Sequence, residues 1–272
     1  MTDCLIEPYP GYCRSKPFLS FLNLAGVPSA DFKGQFKTGD GQYCYPLTAA
    51  DGYSRYLLVC QALPSTRVED AKPVSTRLFQ AFGVPKRIRT DNGVPFATPT
   101  LARLSQLSAW WVRLDILPEP IEPGHPQQNG RHERMHRALT TETARPPAAT
   151  RRAQQRRFDR FRAEFNEERP HEALDLRTPA SVYTPSPRPM PTPLPPLEYP
   201  DRFEVHHVSA NGGIRWNRQW VNVSITCVGE YVGLEEIDDG VANVYFGPLK
   251  LGRLLEKHMR IEDTLGRLTR RS

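Results

Sequence analysis

Hydrophobic and polar positions in the first part of the chain follow the pattern of β-strands. Residues 43–49 and 56–61 are β-prone runs, and the turn dipeptides Asp40-Gly41 and Asp51-Gly52 precede and separate them. This pattern predicts an antiparallel meander over residues 31–61. Apolar residues then recur at helical spacing, which predicts helices at about 68–82, 101–112, 131–143 and 151–167, with short strands near 86–90 and 114–117. The order indicates an α/β domain whose mixed sheet is flanked by helices.

A proline-rich segment divides the chain at residues 184–200, which read TPSPRPMPTPLPPLEYP. Proline fixes φ and lacks a backbone donor, so this segment predicts an extended spacer. After it, five short alternating runs between residues 203 and 246, with Gly-containing turns, predict a small all-β barrel. We therefore predict a leader at 1–28, an α/β domain at 29–183, a linker at 184–200, a barrel at 201–262 and a basic tail at 263–272.

Composition narrows the classes of function. The chain has 272 residues, enough for about two domains. Its 36 Lys and Arg exceed its 30 Asp and Glu, and the net charge of +6 favours an anionic partner. No run of about 18 apolar residues exists, so no membrane partner is expected. Five cysteines without a C-x-x-C pair indicate a reduced, cytoplasmic protein.

Three acidic residues stand where the predicted elements fix the backbone. Asp31 opens the meander, Asp91 follows a short strand, and Glu133 lies in the first turn of a helix. Carboxylates held in this way can converge as oxygen ligands of two Mg²⁺ ions, which serve phosphoryl transfer. Each also has an ordinary interpretation, because Asp before Asn-Gly is a common turn residue and an early helical Glu complements the helix dipole.

Five stretches of the chain resemble one family. They read ADFKGQF (30–36), ADGYSRYLL (50–58), RTDNGVPFA (89–97), EPGHPQQNGRHERMHRAL (122–139) and FNEERPHEALDLRTPASVY (165–183). The chain resembles the integrase core of bacterial insertion-sequence transposases, in the Asp-Asp-Glu retroviral-integrase superfamily. The resemblance implies an RNase H-like catalytic core at 29–183, an SH3-like C-terminal barrel, and Asp31, Asp91 and Glu133 as the catalytic triad. It implies that this triad binds Mg²⁺ or Mn²⁺, as two ions, and cuts and joins DNA strands.

The same resemblance implies DNA as partner, both transposon ends and target, with a homo-oligomer on the DNA in the nucleoid. At about 100° per residue, Arg137, Thr140 and His136 fall within about 60° of Glu133, which predicts that they share an outward face. The predicted DNA-binding residues are Arg131, Arg134, His136, Arg137 and Thr140. The predicted loop residues around the site are Asn92, Gly93, Gln128, Asn129 and Gly130, and the last would let the loop flex.

Several alternatives stay open. Asp51 and Asp40 are rivals for the first acidic position. His132-Glu133-x-x-His136 matches the H-E-x-x-H helix of zinc metalloproteases. The basic run at 145–169, which begins with Arg145 and ends with Arg169, is either a phosphate-contacting surface or a solvated face.

A catalytically silent DNA-binding remnant is the second functional hypothesis. Members of this family carry a helix-turn-helix domain ahead of the core, whereas about 28 residues precede it in this sequence. Val27-Pro28-Ser29 also replaces the aromatic residue expected before the first strand. These departures suggest a truncated copy.

Overall fold

The computed structural model describes residues 27–121, 130–263 and 266–269. These residues form two compact units. The core unit contains residues 27–95, 119–121 and 130–190, and the barrel unit contains residues 96–118 with 191–263 and 266–269. Within the described ranges, every helix is too short or too polar to cross a membrane.

A mixed β-sheet organises the core unit. Its strands are β1 (Ser29–Phe32), β2 (Phe36–Lys37), β3 (Tyr43–Ala50), β4 (Leu57–Leu63), β5 (Arg87–Thr90) and β6 (Leu117–Pro120). The order is β4-β3-β1-β5-β6, with β2 beside the start of β3. β3 is antiparallel to β1 and β4, whereas β5 is parallel to β1. This arrangement confirms the predicted RNase H-like sheet.

Helices α1 (Val68–Phe82), α3 (Gly130–Thr143), α4 (Arg151–Glu167) and α5 (Pro179–Val182) complete the core unit. α1 continues through Pro73, which lies on its exposed side, while Val74 and Phe79 are buried. α4 buries three phenylalanines at the predicted i, i+3, i+7 spacing, against Leu57 of β4 and Leu139 of α3. They are Phe158, Phe161 and Phe165. This apolar contact holds α3 and α4 on the sheet.

Polar side chains of α4 occupy the outer edge of β4. Asn166 Oδ1 accepts a hydrogen bond from the Leu57 amide at 2.7 Å, and Asn166 Nδ2 donates to the Leu57 carbonyl at 3.0 Å. Two further α4 side chains, Gln155 and Arg162, bond the backbone of Leu58, Cys60 and Ala62. These contacts satisfy backbone groups that an edge strand leaves unpaired.

The start of the proline-rich segment is bound to the end of α1. The Ser186 amide donates to the Phe82 carbonyl at 2.9 Å, and the Val84 amide donates to the Arg188 carbonyl at 2.7 Å. Gly83 has φ +78°, and a Cβ there would lie 2.3 Å from the Ser186 carbonyl oxygen. The segment was expected to be an unpaired spacer, and the structure corrects this for residues 186–188.

The barrel unit is largely antiparallel β-structure. Its strands are β7 (Glu204–His207), β8 (Gly213–Trp216), β9 (Gln219–Asn222), β10 (Tyr231–Asp238), β11 (Val241–Phe246), β12 (Leu249–Leu255) and β13 (Arg260–Glu262). They form a five-stranded sheet in the order β13-β12-β11-β10-β7 and the hairpin β8-β9. This all-β architecture is consistent with the predicted SH3-like part. The sequence pattern missed β12 and β13.

Residues 101–112 were predicted to form one helix, and this prediction is wrong. A 3₁₀ turn at Leu101–Arg103 ends where Ala102 and Arg103 adopt φ of 51° and 55°. The helix α2 (Gln106–Arg113) then begins afresh, because the Ser105 side chain caps the Ser108 amide. Leu101 and Val112 pack into the apolar core of the barrel unit.

Candidate active site

Three polar residues lie in a row on neighbouring strands of the core sheet. Asp31 on β1 is the register partner of Thr48 on β3, and Ala30 is the register partner of Thr90 on β5. Asp91 directly follows Thr90, so the backbones of Asp31 and Asp91 both lie near the carboxyl ends of the parallel strands β1 and β5.

The Asp91 carboxylate is partly buried and incompletely bonded. The Gly93 amide donates to it, and a Cβ on Gly93 would lie 2.9 Å from its Oδ2. Its Oδ1 is buried and has no hydrogen-bond partner among the described residues. Burial raises the pKa of Asp91, and the Gly93 hydrogen bond opposes this rise. Asn92 Nδ2 donates to the Ile121 carbonyl at 2.8 Å, which fixes this loop against the end of β6.

Two histidines of α3 contact the Thr48 side chain. His132 Nε2 and His136 Nε2 each lie 2.7 Å from Thr48 Oγ1, and Ser29 Oγ lies 2.8 Å from His132 Nδ1. His136 Nδ1 lies 4.0 Å from Asp31 Oδ2. Burial lowers the pKa of His132 to about 4 and that of His136 to about 2. The neighbouring His132 and Lys33 lower the pKa of His136 further.

The prediction that His136 faces outward to DNA is wrong. Its exposed fraction is 4%, against an exposed Glu133 and Arg137 on the same helix. At about −60° from Glu133, His136 lies at the border of the outward face, and the Thr48 hydroxyl draws it inward. His132 is buried at 3%, as its angle predicted.

Glu133 lines a cleft that also contains positively charged side chains. The cleft has a volume of about 310 Å³ and is lined by Lys33, Glu133, Arg137, Thr140, Thr141 and Arg145. Arg137, Thr141 and Arg145 recur every fourth residue, so they follow one side of α3 and the residues after it. Thr140 Oγ1 donates to the His136 carbonyl at 2.8 Å. Lys33 and Thr141 were not among the predicted binding residues, because no local motif marks them, whereas Arg145 belongs to the basic run whose role was left open.

Two of the three predicted carboxylates stand near the carboxyl ends of β1 and β5, and the third is carried by the helix that is bonded to Thr48. Among the described residues, the possible ligand atoms close to Asp31 are those of His132 and His136, and this cluster includes neither Asp91 nor Glu133. Glu133 stands on α3 directly after His132 and one turn before His136, and both histidines are bonded to the row at Thr48. Lys33, two residues after Asp31, lines the Glu133 cleft. Arg134 is exposed on the same helix, and Gly130 opens it. Gln128, Asn129 and the Arg131 side chain lie outside the described residues.

The rival acidic residues belong to turns. Asp51 Oδ2 accepts hydrogen bonds from the amides of Tyr53 and Ser54 at 3.1 and 2.7 Å and from the Ser54 hydroxyl at 2.7 Å. Asp40 Oδ1 accepts from the Thr38 hydroxyl and the Gln42 amide, and its pKa is lowered chiefly by the first of these bonds. These two carboxylates are thus occupied in shaping the local backbone.

The H-E-x-x-H geometry also argues against a zinc protease. Asp31, His132 and His136 offer ligand atoms within 4.8 Å of one another. However, the two Nε2 atoms converge on the Thr48 hydroxyl, which stands in the position that a zinc ion shared by both would need. Glu133, which would have to act as the general base, is exposed, whereas both histidines are buried.

Several arginines near α4 are engaged inside the core unit. Arg157 donates to the Pro146 carbonyl at 2.6 Å, and Arg162 donates to the Leu58 carbonyl at 3.1 Å. Arg169 pairs with Glu142 and, at 2.8 Å, with Glu164. These contacts support a structural role for part of the basic run, and Arg145 is its member that lines the cleft.

The residue types predicted for the site suit a divalent metal. Asp91 Oδ1 is a buried carboxylate oxygen without a partner in the described part of the chain, which is costly unless a cation or proton satisfies it. The other predicted ligands are also carboxylates, and Mg²⁺ prefers oxygen ligands.

A comparison with protein families matches part of the candidate site. Residues 114–179, which contain Glu133 but neither Asp31 nor Asp91, match a family described as integrase core domain. This match supports the predicted integrase core over those residues.

The solved structures that are similar to the chain include the following three. The simian T-cell lymphotropic virus intasome in complex with PP2A regulatory subunit B56 gamma is 15% identical with a TM-score of 0.49, covering 83% of this chain and 77% of that chain. The HTLV-2 integrase catalytic core domain in complex with magnesium is 11% identical with a TM-score of 0.42, covering 58% and 95%. The BIV integrase catalytic core domain is 18% identical with a TM-score of 0.43, covering 57% and 92%.

Proposed function

We propose that this chain, which carries an integrase core domain of the integrase and transposase type, is a polynucleotidyl transferase that cuts and joins DNA strands. The observation that supports this most directly is that Asp31 and Asp91 stand at the ends of neighbouring parallel strands, while α3, which carries Glu133, is bonded to Thr48 beside Asp31. A pocket of carboxylates on rigid elements is what metal-assisted phosphoryl transfer requires.

Asp31, Asp91 and Glu133 would hold the metal. When bound, two Mg²⁺ or Mn²⁺ ions supply charge stabilisation for the attacking and leaving oxygens of an in-line displacement. The chain's own residues position the groups: β1 and β5 fix the two aspartates, the Gly93 amide orients Asp91, and α3 presents Glu133. The proposed nucleophiles are water for cleavage and a DNA 3′-hydroxyl for joining.

The cationic cleft beside Glu133 is the proposed contact for the DNA backbone. Lys33, Arg137 and Arg145 supply positive charge, and Thr141 is a hydroxyl donor on the same side. Phosphate contacts give sequence-independent affinity with a salt dependence of about 0.9 per phosphate neutralised. Arg137→Ala should therefore weaken binding of unrelated duplexes equally and reduce the salt slope by about 1. An unchanged slope would exclude Arg137 from phosphate contact.

The decisive experiment uses Glu133→Gln and the matched control Glu167→Gln, an exposed residue at the end of α4. Labelled duplexes with the element's own end sequence are incubated with protein and Mg²⁺ or Mn²⁺, and nicked and joined products are resolved on gels. Losing several kcal/mol of charge stabilisation should lower the rate of Glu133→Gln roughly 100-fold or more. The control should equal wild type. Equal rates for Glu133→Gln and wild type would refute the proposal.

The same assay tests the second hypothesis. A catalytically silent remnant would bind end DNA in a gel-shift experiment but yield no product with either metal. We favour the active enzyme because the described part of the site retains all three carboxylates and the orphaned Asp91 oxygen.

The origin and setting of the protein belong to the same proposal. We propose an insertion-sequence transposase that acts as a homo-oligomer on transposon ends and target DNA in the nucleoid. Inverted repeats in the DNA that flanks the gene would name the substrate. Their absence would contradict the insertion-sequence origin but would leave the proposed cutting and joining of DNA strands unaffected.

A further inference from the structure

We infer that the Thr48 hydroxyl positions the proposed active site, by binding both histidines of α3 and so fixing the place of Glu133 relative to Asp31. This inference rests on the proposed function. Thr48 is fully buried at 0% exposure, lies opposite Asp31 in the β1–β3 register, and has no local sequence motif.

The hydrogen bonds around Thr48 determine which atoms donate. Thr48 Oγ1 lies 3.1 Å from the Asp31 carbonyl and 2.7 Å from each histidine Nε2. A hydroxyl donates one hydrogen bond and accepts two. A carbonyl only accepts, so all three contacts are satisfied when Thr48 donates to Asp31 and both histidines donate from Nε2–H. The Ser29 hydroxyl, 2.8 Å from His132 Nδ1, then donates to that nitrogen.

This arrangement controls the helix that carries Glu133. His132 immediately precedes Glu133, and His136 follows it by one turn. Because both are bonded to one atom of the sheet, α3 can neither slide along its axis nor rotate without breaking one of these bonds. Removing the hydroxyl would leave two buried Nε2–H donors, at 3% and 4% exposure, without their acceptor.

The test compares two isosteric substitutions. Thr48→Val removes the shared acceptor, whereas Thr143→Val removes a buried hydroxyl of α3 that donates only to the Leu139 carbonyl of its own helix. Mn²⁺ affinity of the full chain is measured by paramagnetic resonance without DNA, and stability by urea unfolding. We expect Thr48→Val to bind Mn²⁺ roughly 10- to 100-fold more weakly, as for other residues that orient metal ligands. Thr143→Val should keep wild-type affinity, and Thr48→Ser should restore it.

A merely structural role would lower stability but leave the affinity of the folded protein unchanged. Wild-type Mn²⁺ affinity in folded Thr48→Val would therefore overturn the inference alone. Failure of the wild-type chain to bind Mn²⁺ would instead overturn the proposed function, and this inference with it.

A second measurement needs no variant, so it holds even if Thr48→Val does not fold. Histidine side-chain ¹⁵N spectra of the wild-type protein report the tautomer of each ring. We expect Nε2–H on both His132 and His136. An Nδ1–H tautomer on either would overturn the inference.

Discussion

Asp91→Asn should make the metal-free protein more stable while removing its response to divalent metal. In the wild type, Asp91 Oδ1 is buried without a hydrogen-bond partner in the described chain, and burial raises the pKa of the carboxyl. Leaving a buried polar group unsatisfied costs about 1–3 kcal/mol, and more when it is charged. Asparagine keeps the shape and removes the charge, so we expect a gain of roughly 1–2 kcal/mol.

The pH dependence of this gain has a definite sign. A raised folded-state pKa means that the stability linked to Asp91 is fully present below the unfolded pKa, near 3.8, and is lost as pH rises through the folded pKa. The advantage of Asp91→Asn should therefore vanish in acid and be complete at pH 7. For a unit of this size it corresponds to a rise in Tm of about 2–4 °C per kcal/mol.

The assay is thermal unfolding with EDTA and with Mn²⁺, run beside strand transfer and DNA binding. At 100 times its Kd, Mn²⁺ should stabilise the wild type by about 2.7 kcal/mol, and Asp91→Asn by close to nothing. Strand transfer should be abolished and DNA binding kept. Asp175→Asn, an exposed aspartate in the left-handed region, is the matched control and should change none of these. A lower metal-free Tm for Asp91→Asn, or an undiminished Mn²⁺ response, would refute the reasoning.

Three further predictions concern neighbouring features. Burial lowers the pKa of His132 to about 4, so the free energy of unfolding should fall as pH drops below about 6.5, and it should fall by less in His132→Gln. Equal losses of unfolding free energy in the two proteins between pH 7 and pH 5, measured with urea, would contradict this prediction. Gly93→Ala places a Cβ 2.9 Å from Asp91 Oδ2 and should weaken Mn²⁺ affinity by at least about 10-fold, whereas Gly34→Ala, with open space around it, should not. Asn166→Leu leaves two backbone groups of Leu57 unpaired and should cost roughly 2–5 kcal/mol in urea unfolding, and a loss below 1 kcal/mol would contradict that role.

The fold was largely predictable because its elements have strong local patterns. The meander, α1 and the phenylalanine stripe of α4 follow from alternation, turn dipeptides and helical spacing. The break at Ala102 and Arg103 was not predictable in this way, since both residues suit a helix and only tertiary packing places them in the left-handed region. β12 and β13 were missed because the run after Phe246 lacks the clear alternation of the earlier strands.

The sequence alone led to the three proposed carboxylates but not to the residues that surround them. Asp91 and Glu133 stand in motifs, and the strand start gave Asp31. Thr48 supplies the shared acceptor, yet its role depends on the β1–β3 register and on the approach of α3, which no local pattern records. For the same reason, the helical angle led to the wrong prediction that His136 faces outward. An angle of about 60° from Glu133 allows either face, and the partner across the sheet decides.

The side chains of α4 that bond the outer edge of β4 bear on how copies of this chain meet. A free edge strand invites another polypeptide to extend the sheet by main-chain pairing. Here Gln155, Arg162 and Asn166 already fill those bonding positions. A second molecule would have to displace α4 before it could pair with the backbone of β4. Contacts between copies at this edge should therefore use side-chain surfaces rather than main-chain pairing.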